Sequence, residues 1–236
     1  MSPTELIFVL SLAGITVGAF VQAATGMGFS LVSAPLLILH LGPREGVAAV
    51  VVLAALSSVL PLVRGGRHAQ PDAVARLLIP TLICTPLIAW ALGDVDTRWL
   101  ALVAGVGVIV AVGILASGVR WAWLRHPLGA VSTGAASALL NVVGGVGGPP
   151  IGIYAANAGW PPAITRANMH SFFFVQNIVT AIVLGVVLPD WWQLAALAVG
   201  TVAGVVLAPR VSAPALRVVV LAISLVGGVS LVVGAF

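Results

Sequence analysis

Charged side chains are scarce in this sequence, which has 10 Lys or Arg and 6 Asp or Glu among its 236 residues. Soluble domains carry about 25% charged residues, whereas this chain carries 7% and is 61% hydrophobic. A soluble protein of this composition would leave apolar side chains over most of its surface. We therefore interpret the chain as an integral membrane protein whose solvent is the lipid bilayer.

Other scarcities exclude further classes of protein. Cys84 is the one cysteine in the sequence, so the chain has neither a disulfide framework nor a cysteine-based metal site. The basic residues are dispersed over connecting loops, which is typical of membrane topology signals and not of nucleic-acid binding. The opening residues MSPTEL lack the basic region of a cleavable signal peptide. We expect no cofactor, no metal and no nucleic-acid partner.

The apolar runs predict eight membrane segments, two of which are unusually long. They cover residues 5–40, 46–63, 73–92, 97–117, 128–158, 164–188, 191–208 and 214–235. A helical crossing takes about 20 residues, so the first and fifth runs are too long for one. Each of these contains a glycine-rich break, QAATGMGFS at 22–30 and NVVGGVGGPP at 141–150. We expect each to form two helical limbs, either a pair of spans or a re-entrant hairpin.

The two breaks are related by a shift of 119 residues, the separation of Gln22 and Asn141. In both halves one broken segment precedes three simple spans. We predict an all-α integral membrane protein of two repeats, residues 1–118 and 119–236, each a glycine-broken helical hairpin plus three transmembrane helices. The shift pairs Gln22 with Asn141, Gly26 with Gly145, Gly28 with Gly147, Pro43 with Pro162 and Arg98 with Arg217.

Loop charges predict that the second repeat is inverted with respect to the first. The loops RGGRH at 64–68 and RWAWLRH at 120–126 are basic and should face the cytoplasm. The loop between them carries Asp94 and Asp96 and should face outward. The corresponding loops of the second half have the opposite character, because LPDWW is acidic and 208–217 is basic. Both termini are then expected on the outer face.

The breaks are candidate binding elements because lipid cannot satisfy exposed backbone groups inside a bilayer. In inverted-repeat transporters such breaks lie near the midplane and direct helix N-termini, with their N–H groups and positive dipole ends, at anions. The alternative is close helix packing or a simple turn. The candidate substrate-binding residues of the breaks are Gln22, Thr25, Gly26, Gly28, Ser30, Asn141, Gly144, Gly145, Gly147, Gly148 and Pro149.

A second group of candidates lies in the polar segment at 159–177, whose prolines should begin a helix. Arg166 either extends to the membrane surface or attracts an anion at the mouth of the site. His170 is either a proton carrier, since imidazole changes its protonation state near neutral pH, or a packing residue. The amides that complete this group, as cavity-lining residues or as hydrogen-bonding links between helices, are Asn168, Gln176 and Asn177.

Absent motifs restrict the mechanism. No Asp or Glu lies deep within an apolar run, which argues against a cation pathway or a carboxylate proton relay. Amides, hydroxyls, helix ends and arginine suit an anion. The GGVGG stretch lacks the Lys and Ser/Thr that follow in a nucleotide-binding loop, so a gradient would drive transport. We also find no metal or paired-acid motif of an intramembrane enzyme and expect no catalytic activity.

Two stretches, GAFVQAATGMGFSLVSAPLL and NVVGGVGGPPIGIYAANAG, together with the duplicated layout, resemble the sulfite exporter (TauE/SafE-type) permease family. The resemblance covers nearly the whole chain, and its mark is a glycine-rich break followed by proline in each half, here Pro35 and Pro149–Pro150. It carries over to motif positions in both breaks, which are Gln22, Gly26, Gly28, Pro35, Asn141, Gly144, Gly145, Gly147, Gly148 and Pro149.

The resemblance implies a multi-pass transporter of the bacterial inner membrane for small sulfur-containing anions, such as sulfite or organosulfonates. Our hypothesis is that it exports them by alternating access, with the two breaks meeting near the midplane. With the predicted topology, both termini would be periplasmic. Its partners would be the small anion, protons if transport is coupled to them, and the lipid bilayer, and a homodimer stays open. The alternatives are an anion channel, an importer of another small organic acid, and a membrane scaffold without a substrate.

Overall fold

The computed structural model describes residues 3–118, 121–207, 210 and 213–234. This part of the chain contains ten α-helices. No strand occurs in that part, so the predicted all-α fold is confirmed. The helices are α1 (Pro3–Thr25), α2 (Phe29–Leu41), α3 (Pro43–Gly65), α4 (Pro71–Ala91), α5 (Thr97–Ser117), α6 (Pro127–Gly144), α7 (Gly148–Ala158), α8 (Pro162–Leu184), α9 (Trp191–Leu207) and α10 (Ala213–Gly234).

Proline and glycine determine many of the helix ends. Prolines occupy the first or second position of α3, α4, α6, α7 and α8, where the missing N–H has no partner within the helix and the fixed φ suits helical geometry. Glycine follows the last residue of α2, α5, α7 and α8 in a positive-φ conformation. These residues interrupt an almost continuous apolar sequence at defined points.

The outer surface of the helices is apolar, as the bilayer requires. Ile79, Ile83 and Leu87 follow one another at every fourth position of α4, and each is 59% exposed. Spacing of four places them on one helix face, which would contact lipid. Within the described ranges, five helices are long and apolar enough to span a membrane, namely Thr4–Thr25, Pro43–His68, Pro71–Ala91, Arg98–Ser117 and Pro162–Leu184. The chain is therefore a multi-pass membrane protein.

The first glycine-rich break folds as a helical hairpin. Gly18 of α1 lies against Phe29 at the start of α2, and the ring of Phe8, earlier in α1, lies 5.5 Å from that of His40 near the end of α2. The limbs are therefore antiparallel. α2 has 13 residues, or about 20 Å of helix, which is too short to cross a hydrocarbon layer of about 30 Å. These lengths favour a re-entrant hairpin over a pair of spans.

The second break repeats this arrangement. α6 is followed by Gly145, whose φ is +67°, and the N–H groups of Gly145 and Val146 donate back to the carbonyls of Asn141 and Leu140. α7 then begins at Gly148 and has 11 residues, about 17 Å. This limb is also too short to cross the membrane, so the second hairpin is re-entrant by the same argument.

Helix ends in the two halves agree with the 119-residue shift seen in the sequence. α2 and α7 begin at Phe29 and Gly148, α3 and α8 begin at Pro43 and Pro162, and α1 and α6 end at Thr25 and Gly144. The helix order is also the same, one hairpin followed by three further helices. This agreement supports the predicted duplication, whose boundary at residues 118 and 119 stays a prediction.

The equivalent helices α3 and α8 pack against each other at the centre of the protein. Arg64, near the end of α3, shares a cavity with Arg166, near the start of α8. Arg44, at the start of α3, shares another cavity with Val183, near the end of α8. The two helices are therefore antiparallel, which is what an inverted repeat requires. The inversion and the placement of the termini relative to the bilayer stay predictions.

Small residues allow the first hairpin to pack closely on α9. Gly200 contacts the carbonyl oxygen of Thr16, and a Cβ added to Gly204 would lie 2.5 Å from the carbonyl oxygen of Phe20. Membrane helices associate through such close approaches because lipid supplies no hydrophobic driving force between them.

We predict that Gly200→Leu lowers the melting temperature of the purified protein by about 5 °C or more, because overpacking costs about 1–3 kcal/mol and the added side chain meets backbone. Gly113→Leu is the matched control, since nothing lies within 4 Å of a Cβ at Gly113. Melting in detergent, followed by tryptophan fluorescence, measures both. Equal melting temperatures for the two variants would contradict the described contact between α1 and α9.

Candidate functional site

The tips of the two hairpins meet at one small cavity beside α8. Its lining residues come from both breaks and from the middle of α8, and they are Gln22, Gly28, Ser30, Leu31, Asn141, Val146, Gly147, Gly148, Phe173 and Asn177. The structure therefore brings together residues that are more than 100 positions apart in the sequence. We call this space the central cavity. Its volume of about 20 Å³ is room for about one water molecule. A small anion would therefore fit only if the hairpin tips moved apart.

Gln22 fixes the end of α1 to the middle of α3. Its Nε2 lies within hydrogen-bond distance of three acceptors, the Ser57 hydroxyl at 2.7 Å, the Ser58 hydroxyl at 2.9 Å and the Ala54 carbonyl at 3.2 Å, and its two N–H groups donate among them. Gln22, Ser57 and Ser58 are buried, so these bonds replace the water that is absent at this depth. The amide thus holds the first hairpin tip in place and borders the central cavity.

Asn141 has the equivalent position in the second half and makes equivalent bonds to α8. Its Nδ2 donates to Asn177 Oδ1 at 3.1 Å and to Thr180 Oγ1 at 2.9 Å. Its Oδ1 accepts a bond of 3.4 Å from the N–H of Gly147. The shift of 119 residues carries Ser58 onto Asn177, so both amides anchor a hairpin tip to the same register of the adjacent central helix.

A buried hydroxyl and amide support the second tip from behind. Ser137 Oγ donates to the Gly147 carbonyl at 2.7 Å and accepts from Gln176 Nε2 at 3.0 Å. A Cβ at Gly147 would lie 2.9 Å from both side chains. Gln176 is therefore placed as a support of the break and is not among the residues that line the central cavity.

Backbone donors at the central cavity come mainly from α2. The first four N–H groups of a helix have no partner within it, and no side chain caps the N-terminus of α2 at Gly28. At the start of α7, Pro149 and Pro150 have no N–H, so that side offers only Gly147 and Gly148. Both helix N-termini direct their positive dipole ends toward the cavity.

Several candidates from the sequence form the turns of the breaks and do not line the cavity. The Thr25 hydroxyl lies 2.7 Å from the carbonyl of Met27 and accepts from the N–H of the same residue at 3.3 Å. Gly26 has a φ of +92°, and a Cβ there would lie 3.1 Å from Arg166 Cα. These contacts close the first tip and press it against α8.

The corresponding residues of the second break also pack against neighbouring helices. Gly144 contacts Ala104 of α5, and Gly145 contacts Val50 of α3. Pro149 is buried at the start of α7. In the structure the two glycines allow close packing and the proline begins a helix. Close packing is the alternative to substrate binding for such glycines.

Arg166 and His170 line a larger cavity of about 480 Å³, to which Arg64 and His68 also contribute. We call it the basic vestibule. Ala23 and Ala24 form part of its wall, directly after Gln22 in the chain, so it lies beside the central cavity. Asn168 lies elsewhere, because its Oδ1 accepts a 2.7 Å bond from the N–H of Gln70 and joins α8 to the start of α4.

A second cavity of about 380 Å³ lies at the other end of α3 and α8. We call it the opposite vestibule. Val142 and Val143 form part of its wall, as Ala23 and Ala24 do in the basic vestibule, and the 119-residue shift relates these pairs. The two vestibules are therefore equivalent spaces on either side of the central cavity.

Sequence reasoning did not find all of these residues. Ser57, Ser58, Ser137 and Thr180 hold the breaks in place, and Arg64 contributes to the basic vestibule. The shift of 119 residues could have located Ser58, because it pairs this residue with Asn177. No group of three or more His, Cys, Asp or Glu residues that could hold a metal ion occurs among the described residues.

Comparison with known proteins agrees with the architecture. The family model described as sulfite exporter TauE/SafE matches residues 10–231, nearly the whole chain. No curated protein and no solved structure matches the chain. The matched region includes the first hairpin from residue 10 onward, the whole second hairpin, and the described lining of the central cavity and both vestibules. The chain belongs to the sulfite exporter TauE/SafE family, a family of membrane transporters.

Proposed function

We propose that this protein is a secondary transporter that exports small sulfur-containing anions, such as sulfite or organosulfonates, across the bacterial inner membrane by alternating access. The observation that carries the proposal is the central cavity, where two re-entrant hairpin tips meet between two equivalent vestibules. An anion bound there would lie at two helix N-termini and among neutral amides, and the lining residues that the structure describes include no carboxylate. Such surroundings suit a negative charge.

The hydrogen bonds of the second tip indicate how an anion is held. The N–H of Gly147 is bonded to Asn141 Oδ1 over a long 3.4 Å, and an anion oxygen is a stronger acceptor than an amide oxygen. We infer that the anion replaces Asn141 Oδ1 at this N–H. It would also accept from the first N–H groups of α2, while the side-chain amides of Asn141 and Asn177 turn toward it.

The hairpin tips are the proposed gates. Gly26 of the first tip packs on Arg166 and Met169 of α8, and Gly145 of the second tip packs on Val47 and Val50 of α3. The 119-residue shift relates these two contacts. Each tip thus separates the central cavity from the vestibule beside it, and alternate release of the two contacts would open the cavity to one side at a time.

A flux experiment tests the transport proposal. Purified protein in liposomes should take up radiolabelled sulfite with saturable kinetics, and unlabelled sulfite inside the liposomes should accelerate uptake by counterflow. A channel would conduct without saturation or counterflow, and an importer of another acid would prefer that acid in competition. Absence of flux for sulfite, thiosulfate and sulfoacetate alike, with none of them shifting the melting temperature, would favour a scaffold without a substrate.

We predict that Asn141→Ala reduces sulfite flux about tenfold or more, because a hydrogen bond to a charged group contributes about 1.5–3 kcal/mol and the second tip loses its anchor. Ser230→Ala is the matched control, since Ser230 is partly exposed on α10 and, among the described residues, its hydroxyl donates to the Val226 carbonyl of its own helix. Flux is normalised to inserted protein, and the melting temperature of both variants is recorded. Full flux in Asn141→Ala would reject the central cavity as the binding site.

Proton coupling through His170 remains part of this proposal. His170 lines the basic vestibule, and the charged or titratable groups that share this space are Arg64, His68 and Arg166. We predict that His170→Gln abolishes the dependence of sulfite flux on an imposed pH gradient while downhill flux continues. His68→Gln, on the exposed turn after α3, is the comparison. If His170→Gln retains the same pH dependence, then transport follows the substrate gradient or uses another proton carrier.

The proposed topology has the basic vestibule on the cytoplasmic side and both termini in the periplasm. We also propose that the protein has no catalytic activity. A homodimer is compatible with the apolar outer surface, and cross-linking in native membranes measures it.

A further inference from the structure

Basic side chains from three segments contribute hydrogen-bond donors to the basic vestibule. Arg64 comes from the end of α3, His68 from the following turn, and Arg166 and His170 from one face of α8, since they are four residues apart. No Asp or Glu occurs among the described residues of its lining. No hydrogen bond or ion pair engages the side chains of Arg64 and Arg166 within the described part of the chain, so their planar donor groups remain available for an oxyanion.

His170 points to a ligand in this space. Its side chain is 3% exposed, and neither ring nitrogen has a hydrogen-bond partner among the described residues. Imidazole always carries at least one N–H donor, and a buried polar group without a partner costs about 1–3 kcal/mol. An anion oxygen in the cavity that His170 lines would accept that N–H.

The opposite vestibule lacks these donors. The 119-residue shift places Val47 at the position of Arg166, Val183 at that of Arg64 and Val51 at that of His170. Arg44 is the one basic residue in the described lining there, and its guanidinium donates to the carbonyls of Gly93 at 2.8 Å and Val95 at 3.3 Å. Two cavities with equivalent positions in the fold therefore differ in the donors that their described residues offer to an anion.

We propose that the basic vestibule is a second anion-binding site, formed by Arg64, Arg166 and His170, which captures a small oxyanion before it enters the central cavity. This inference rests on the proposed transport function and adds a direction to it. Because the opposite vestibule has no equivalent site, the protein binds its substrate more tightly from the face that bears residues 64–68. The site concentrates the anion on the face where export begins, and the proposal includes no equivalent site on the face where the anion is released.

The test measures the KM for radiolabelled sulfite separately from each face. Inside-out and right-side-out membrane vesicles provide the two faces. An impermeant maleimide on an Ala69→Cys, Cys84→Ser variant identifies the face that bears residues 64–68. For the wild type we expect a lower KM on that face. Arg166→Gln and Arg64→Gln should each raise that KM about tenfold, since a hydrogen bond to a charged group contributes about 1.5–3 kcal/mol, and should leave the KM on the other face within about twofold.

Three variants separate binding from folding. Arg67→Gln is the matched control, because Arg67 lies exposed in the same turn and does not line the cavity. His170→Leu should raise the KM on the same face, whereas His170→Gln, which keeps an N–H donor, should raise it less. Melting temperatures equal to that of the wild type would exclude misfolding. If Arg166→Gln does not fold, Arg166→Lys, which keeps the charge, takes its place.

The outcomes distinguish this proposal from the transport proposal. If the wild type shows no sulfite flux, the proposed function fails. If the wild type transports sulfite and Asn141→Ala abolishes flux, but Arg166→Gln and Arg64→Gln leave the KM unchanged on both faces, the capture site alone is rejected. Equal increases in KM on both faces would also reject it, since these side chains would then act on the central cavity.

Discussion

The interior of a bilayer offers no hydrogen-bond partners, and the rest of this structure follows from that constraint. A helix that breaks inside lipid must find protein groups for its exposed backbone. Here the groups come from buried amides and hydroxyls that would be unremarkable in a soluble protein. Gln22 and Asn141 bond the ends of the broken helices to α3 and α8, and Ser137 takes the carbonyl of Gly147. The two breaks are stable because the central helices carry polar residues at the matching depth.

This constraint also accounts for the buried polar side chains toward the middle of α3 and α8. Ser57 and Ser58 in α3, and Gln176, Asn177 and Thr180 in α8, are buried and face the breaks. Their cost in an apolar environment is offset only while the hairpin tips stay in contact with them. A movement of either tip must therefore exchange these bonds for others, which an entering anion with its water molecules can supply.

The sequence predicted the class of fold well and the details of the site only in part. Periodic apolar runs, prolines at helix starts and glycine-rich breaks are local signals, so the helices and both hairpins could be located from them. The roles of Thr25, Gly26, Gly144 and Gly145 could not be separated from those of Gly28 and Gly147 in this way. A glycine that closes a turn and one that borders a cavity look alike in a sequence, and only the neighbouring helices distinguish them. The sequence indicates only a topology signal at Arg64, because no neighbouring residue in the sequence links it to α8.

The narrowness of the central cavity at Gly147 and Gly148 bears on which anions the proposed transporter would accept. Backbone N–H groups recognise charge and treat every small oxyanion alike. Discrimination among anions must then come from the side chains that share the cavity wall, and in this chain these include the apolar groups of Leu31, Val146 and Phe173. In the proposed transporter, the backbone N–H groups would bind the charge of the anion, and the apolar wall would limit the size and polarity of the rest of it.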